Sequence, residues 1–259
     1  MSGAEIFDTR AVRLHRARAA ASVATLAPVL DDLAARLLDR LDDTKTAFKT
    51  ALDFGGRGSV APLLAARGMS VMSADLSGAM AARAGGLPME VDGEALPFGD
   101  QQFDLIVAHL SLHWVNDLPG ALIQLRRALR PNGLFLASMP TLGTLQELRS
   151  ALLEVEHRLT GAVNPRVSPF PDLRDCAGLL QRAGFALPVA DVEDIEFLYA
   201  NPLNLLYELR HAGEANAVLA RSRNIPPREM FPAALEQLSR RDGRYVATLR
   251  MAIMTGWAS

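Results

Sequence analysis

The sequence predicts an α/β fold, a parallel sheet flanked by helices, from three observations. The first is the stretch Ala51-Leu52-Asp53-Phe54-Gly55-Gly56-Arg57-Gly58-Ser59-Val60, an apolar run, an acidic residue, a glycine-rich turn and an apolar helix start. The second is that apolar strand-like runs then alternate with helix-like segments, the pattern of parallel strands joined by crossover helices. The third is that acidic residues, Asp53, Asp75 and Asp92, fall at or just beyond the tips of these runs.

Residues 5 to 46 read as helical, with Leu26, Val29, Leu30, Leu33, Leu37 and Leu38 at helical spacing. Pro28 breaks that run or starts its second helix. The first strand ends at the glycine turn, and the second, Met69 to Ala74, ends at Asp75. After Pro88-Met89-Glu90-Val91 comes the strand Phe103 to Ala108, a helix ending in Leu129-Arg130-Pro131-Asn132-Gly133, and the strand Leu134 to Ser138. Beyond it, residues 141 to 160 read as a helix, and Asp172 to Ala183 as another, stopped by Gly184. Glu193 to Tyr199 alternates as a strand, Pro202 to His211 reads as a helix, and Val246 to Trp257 as the final strand. The organisation expected is an N-terminal helical segment, 1–46, and one large domain, 47–259, with helical insertions near 141–160 and 202–222.

Composition narrows the function classes. A chain of 259 residues with 49% hydrophobic residues has enough apolar side chains for a sizeable core and is not disordered. Its net charge of −2 offers no broad basic field for nucleic acid. The single Cys176 excludes an intramolecular disulfide and a cysteine-based zinc cluster. No apolar run approaches the ~20 residues that span a bilayer. A cytoplasmic protein is therefore expected. The first 20 residues are rich in Arg and Ala, but Glu5 and Asp8 interrupt the positive charge, so this stretch reads as the domain's first helix rather than a targeting segment.

The glycine turn is where a ligand can approach bare backbone, because a Cβ would clash or forbid the dihedrals. The helix after it directs free N–H groups toward that ligand. An acidic residue at the tip of the second strand, Asp75, reads as an acceptor for ribose hydroxyls. The plainer reading is a cap for the next helix together with Ser77. A dinucleotide site is the poorer reading, because the G-x-G-x-x-G spacing is absent. His109 and His113 lie just past the fourth strand, where open α/β sheets bind ligands. Either can carry a proton near neutral pH, and either can equally fill space or bond a carbonyl. Trp114 reads as packing, or as an apolar lid over a cationic ligand.

This order of motifs resembles the class I S-adenosylmethionine (SAM)-dependent methyltransferases. The resemblance is carried by Leu52-Asp53-Phe54-Gly55-Gly56-Arg57-Gly58, Asp75, Asp92-Gly93-Glu94-Ala95-Leu96-Pro97-Phe98, Phe103 to Val107 and Leu129 to Gly133, over about residues 48 to 140. It implies a Rossmann-like sheet of seven strands in the order 3-2-1-4-5-7-6, the last antiparallel. It also implies SAM as cofactor, with Asp53, Gly55, Gly56, Gly58, Asp75, Asp92 and His109 as cofactor-binding residues, Asp92 at the adenine amino group. His113 and Trp114 are the catalytic candidates, and no metal ligand set is expected.

A narrower resemblance spans nearly the whole chain. Ile6-Phe7-Asp8, Ser111 to Pro119, Thr144 to Arg149, Val167 to Phe170, Ala212 to Ala217 and Gly256-Trp257 are similar to the arginine-hydroxylating assembly factors of respiratory complex I. The malonyl-acyl-carrier-protein methyltransferases of biotin synthesis resemble the chain mainly at Asp92 to Leu96, Trp114 and Leu145 to Leu148. Three functions follow as expectations: methyl transfer to a small molecule or protein, hydroxylation of an arginine on a complex I subunit, or a non-catalytic assembly role on the same scaffold. No compact His/Asp/Glu triad for iron is visible in the sequence. One departure stands out. The family turn is acidic-x-Gly-x-Gly-x-Gly, and Asp53-Phe54-Gly55-Gly56-Arg57-Gly58 is one residue shorter. A missing residue shifts backbone N–H groups by up to ~3.8 Å, which predicts a weakened site for the methionine portion of the cofactor.

Overall fold

The computed structural model describes residues 5–259, so the first four residues of the expected segment 1–46 lie outside the described residues. The chain starts with helix α1 (Thr9–Ala19), capped by Asp8, whose carboxylate accepts the Ala11 N–H. A 3₁₀ turn, Val23–Leu26, leads into α2 (Ala27–Leu38). Pro28 sits in the first turn of α2, where its missing N–H costs nothing, so it starts this helix.

The sheet follows in the expected alternation: β1 (Thr50–Phe54), α3 (Val60–Ala66), β2 (Ser70–Asp75), α4 (Gly78–Ala81), β3 (Leu87–Glu90), β4 (Phe103–His109), α5 (Leu118–Ala128) and β5 (Leu129–Pro140). After these come α6 (Gln146–Thr160), α7 (Leu173–Arg182), β6 (Ala186–Tyr199), α8 (Leu203–His211), α9 (Met230–Glu236), the two-residue β7 (Arg240–Arg241) and β8 (Arg244–Trp257). Strand order is β3-β2-β1-β4-β5-β8-β6, with β7 folded onto β8. The first five strands pair in parallel, and β8 runs antiparallel to both β5 and β6. This is the expected order with its antiparallel last long strand, enlarged by one short hairpin strand.

Helix α6 starts at Gln146 rather than near 141 and β8 at Arg244 rather than Val246, and three further boundaries differ from the sequence reading. Leu129 leaves the helix and pairs with Phe103 in β5, and the register then shifts before Leu105 meets Leu134. Asn132, with φ of 62°, makes the bend that permits this. Strand β6 begins at Ala186, seven residues before Glu193, because its alternating half-buried pattern continues N-terminally along β8. Helix α8 stops at His211, where Gly213 takes φ of 81°, and the chain to 222 is irregular.

Alternation along the strands sends Leu52, Ile106 and Phe135 to one face, packed with α5 and α7 residues such as Leu125 and Leu180. Ala51, Leu105, Val107 and Leu136 face the other way, against Leu33, Leu37 and Leu64 of α2 and α3. A third cluster, built from Leu148, Leu152, Leu205, Met230 and Leu235, holds the inserted helices together. Among the described residues no helix is long and apolar enough to cross a membrane.

Candidate functional site

The C-terminal ends of β1, β2 and β4 converge, as the topology requires for a ligand site in an open α/β sheet. At the end of β1, Gly55 adopts φ of 78°, and its N–H donates to Ala74 O at 2.6 Å. Ser111, just past β4, donates its hydroxyl to Phe54 O at 2.8 Å and packs so close that a Cβ on Gly55 would run into its side chain. The same holds at Gly56, where a Cβ would strike the Asp53 carboxylate. The short turn is thus compact, and its glycines are required by close approach.

Asp75 is buried, and its Oδ1 accepts the Ser77 N–H at 2.8 Å. Its other oxygen takes the guanidinium of Arg16, reaching in from α1 through Nε and Nη2. Arg16 also donates to Gly55 O at 2.7 Å. Burial acts to lower the pKa of Arg16, but the Asp75 charge and hydrogen bond outweigh it and raise it. One donor, Nη1 of Arg16, is buried with no partner.

A pocket of about 50 Å³ lies here, bordered by Arg16, Gly55, Asp75, Val91, Asp92 and Ser111 among others. Of the cofactor-binding candidates, Gly55, Asp75 and Asp92 border it. Asp53, Gly56, Gly58 and His109 do not; they stand behind its wall. Asp53 is fully buried with both oxygens unpartnered, and burial pushes its pKa up to about 7. The His109 ring bonds Ser138 Oγ at 2.7 Å, and burial, with the nearby Arg57 charge, pushes its pKa down to about 3, so it is a neutral core histidine. Its ring does not border the pocket; by alternation it lies on the face of β4 that carries Leu105 and Val107.

A second cavity, about 590 Å³, opens beside the first, between α2, α6, α8 and β6. Both catalytic candidates border it, and Trp114 borders both spaces. At their junction sits Glu214. Its carboxylate accepts from Arg57, from His113 Nε2 at 2.8 Å and from Trp114 Nε1 at 2.8 Å. Burial would raise its pKa, but the His113 and Arg57 charges prevail and hold it at about 2. Arg57, buried, also donates to Leu110 O and Ala212 O. Burial, with the Arg16 charge, pushes its pKa down to about 10. The His113 Nδ1 is buried without a partner.

Residues 6–8 are fastened at this place. Asn116 Oδ1 accepts both the Ile6 and Phe7 N–H groups at 2.8 Å, Phe7 meets Trp114 edge-on at 5.2 Å, and Asp8 pairs with Arg221. Arg16 and Glu214 are the functional side chains that sequence reasoning missed. A signal existed for each. Arg16 is the charged member of the Val12–Arg16–Ala19 buried face of α1, and Glu214 is the lone charge in Ala212-Gly213-Glu214-Ala215-Asn216-Ala217.

The family described as "Methyltransferase domain" matches residues 52–137, the segment that carries β1 to β5. The chain is 32% identical over 237 residues to the protein named "Arginine-hydroxylase NDUFAF5, mitochondrial" of Danio rerio, covering 88% of this chain and 74% of that one. It is 30% identical over 271 residues to a malonyl-[acyl-carrier protein] O-methyltransferase of Gallionella capsiferriformans, covering 97% and 91%. Among solved structures, the YcgJ protein of a Bacillus superposes with a TM-score of 0.57 at 14% identity over 85% of this chain and 97% of that one, a likeness of fold. The sheet order, the acidic residues at the strand tips and these two long matches lead to one conclusion: the chain belongs to the class I SAM-dependent methyltransferase superfamily.

Proposed function

We propose that the chain is a SAM-dependent group-transfer enzyme that holds the adenosyl portion in the smaller pocket. The observation that carries this reading is the unmatched donor on Arg16. Its Nη1 is buried and unpartnered beside Asp75, whose place at the tip of β2 is that of an acceptor for ribose hydroxyls in such sheets. A buried unmade hydrogen bond costs ~1–3 kcal/mol, and the carboxylate of a bound methionine moiety would remove that cost. Pockets that enclose a small molecule are roughly 300–1,000 Å³, so the 50 Å³ space requires Arg16 to turn away from Asp75. The residues fit the group through that exchange of partners: Asp75 takes the ribose, Arg16 the carboxylate, and Asp92, beside Gly93, faces the base.

When bound, SAM supplies an activated methyl on a sulfonium. The chain's own share is orientation and exclusion of water. Trp114, held by Glu214, walls the smaller pocket off from the larger cavity, and His113, held by the same carboxylate, borders that cavity. Isothermal titration with SAM and S-adenosylhomocysteine (SAH) tests the reading. Binding of both is expected, and binding of neither overturns it.

A second reading rests on the 88% coverage of this chain by a relative named for arginine hydroxylation. Incubation with arginine-containing peptides and mass spectrometry separates the two, since a methyl and an oxygen add different masses.

A further inference from the structure

The larger cavity has a chemistry that the reading above does not use. Its walls are Val29, Leu33, Leu148, Leu152, Leu206 and Phe197 with further leucines, drawn from four separate elements. At about 590 Å³ it is more than tenfold larger than the neighbouring pocket. The polar side chains on its walls, the exposed Arg210 apart, largely have protein partners already. Tyr199 donates to Glu208 at 2.6 Å, Arg166 pairs with Glu156, Asn216 donates to Pro165 O at 2.7 Å, and Thr144 donates to Arg250 O at 2.9 Å. A polar ligand would lose its hydration here and find few replacements, whereas an apolar one is favoured by every leucine it touches. The exception is at one end. His113 borders the cavity next to Trp114, its Nε2 is held by Glu214, and its Nδ1 is buried and unpartnered.

We infer that this cavity binds an amphiphile with a long aliphatic chain, the chain lying among the leucines and a protic head group, such as a hydroxyl, hydrogen-bonded to His113 Nδ1. Glu214 holds Nε2, which leaves Nδ1 as the ring atom open to the head group, and a hydroxyl there can donate or accept. The head then lies against Trp114, at the one wall shared with the adenosyl pocket. That such a molecule is the methyl acceptor rests on the proposed function; its binding does not.

Displacement of the dye anilinonaphthalene sulfonate by hexanol, octanol and decanol tests the chain site, with SAH titrated in parallel. Affinity should rise about fourfold per methylene. Leu206→Trp and Val29→Trp fill the cavity from opposite walls. Either, once shown folded by circular dichroism, should weaken decanol about tenfold or more while SAH affinity stays within about twofold. His113→Phe should weaken decanol several-fold while decane, which can make no hydrogen bond, stays within about twofold. No dependence on chain length, or unchanged decanol binding in both folded tryptophan variants, overturns the chain site. An equal effect of His113→Phe on decanol and decane overturns the role of His113. Loss of SAH binding alone, with the alcohol series intact, overturns the proposed function and leaves the cavity's ligand standing.

Discussion

Replacing Arg16 with glutamine tests the exchange of partners at the cofactor site. Arg16 and Asp75 are buried, with side chains 3% and 2% exposed. Truncation to alanine would strand a buried carboxylate at a cost of about 3–5 kcal/mol. Glutamine keeps one neutral donor for Asp75 but cannot offer a charged second one to an incoming carboxylate. A hydrogen bond to a charged partner contributes roughly 1.5–3 kcal/mol, and each 1.4 kcal/mol is tenfold. Arg16→Gln should therefore weaken SAH by about one to two decades. Methylthioadenosine has the same nucleoside but no amino-acid carboxylate, so its affinity should move by less than about threefold. Titration calorimetry on both ligands, with thermal denaturation to confirm folding, reads the difference. An equal loss for both would mean that Arg16 serves only to hold Asp75. Tighter binding of SAH would mean that Arg16 is a competitor for the ribose site. Either result refutes the exchange.

Three other outcomes are expected. Asp75→Ala should lower SAH and methylthioadenosine affinity alike, by about one to two decades, because the ribose contact is common to both; unchanged calorimetric affinity removes Asp75 from the site. Glu214→Gln should cost about 3–5 kcal/mol in urea denaturation at neutral pH, since it leaves Arg57 buried without its counter-charge. Glu214 is held at about 2, below its ordinary 4.5, so the stability it gives is present above 4.5 and is lost as pH falls toward 2; that acid-side loss should be smaller in the variant. Asp53 is pushed the other way, from 3.8 to about 7, so its contribution to stability falls as pH rises through that window. Asp53→Asn should flatten this slope and be the more stable protein at about pH 8, by on the order of 1–4 kcal/mol; a parallel pair of stability curves would show that the Asp53 carboxylate does not titrate there.

The sheet was legible because its strands are apolar runs bounded by glycine, proline and acidic residues, and both faces are covered. Period and punctuation decide such elements. Strand β6 was legible only over Glu193 to Tyr199, because Pro188 and the register shift between Ala186 and Val189 blur its start. Helix α9 is seven residues long and carries Pro232 in its first turn, too short for helical spacing to register. At the site, Asp75 and Gly55 were legible because strand tips and glycine turns have fixed places in the topology. His109 also lies at a strand end but does not border the pocket. Proximity to a strand end says nothing about which face the side chain takes, and here the ring bonds Ser138 on the neighbouring strand.

The charges that complete the site come from outside the sheet, and this is why they were hidden. Arg16 belongs to α1, 59 residues before Asp75 in the chain. Glu214 belongs to the irregular segment after α8, 157 residues beyond Arg57. Local spacing has no access to such pairs, since only the folded chain brings them together. Yet three of the six stretches that carry the narrower resemblance, Ile6 to Asp8, Ser111 to Pro119 and Ala212 to Ala217, meet at one point. Asn116 binds the backbone of Ile6 and Phe7, Trp114 packs on Phe7 and donates to Glu214, and Asp8 accepts the N–H of Ala11 at the start of the helix that delivers Arg16. A short sequence far from the glycine turn therefore sets where Arg16 lies relative to Asp75. Weakening the Asn116 clasp should loosen Arg16 without touching the pocket. In this architecture the sheet supplies carboxylates to the smaller pocket, and α1 and the segment after α8 supply the cation beside them and the carboxylate at the junction of the two neighbouring spaces.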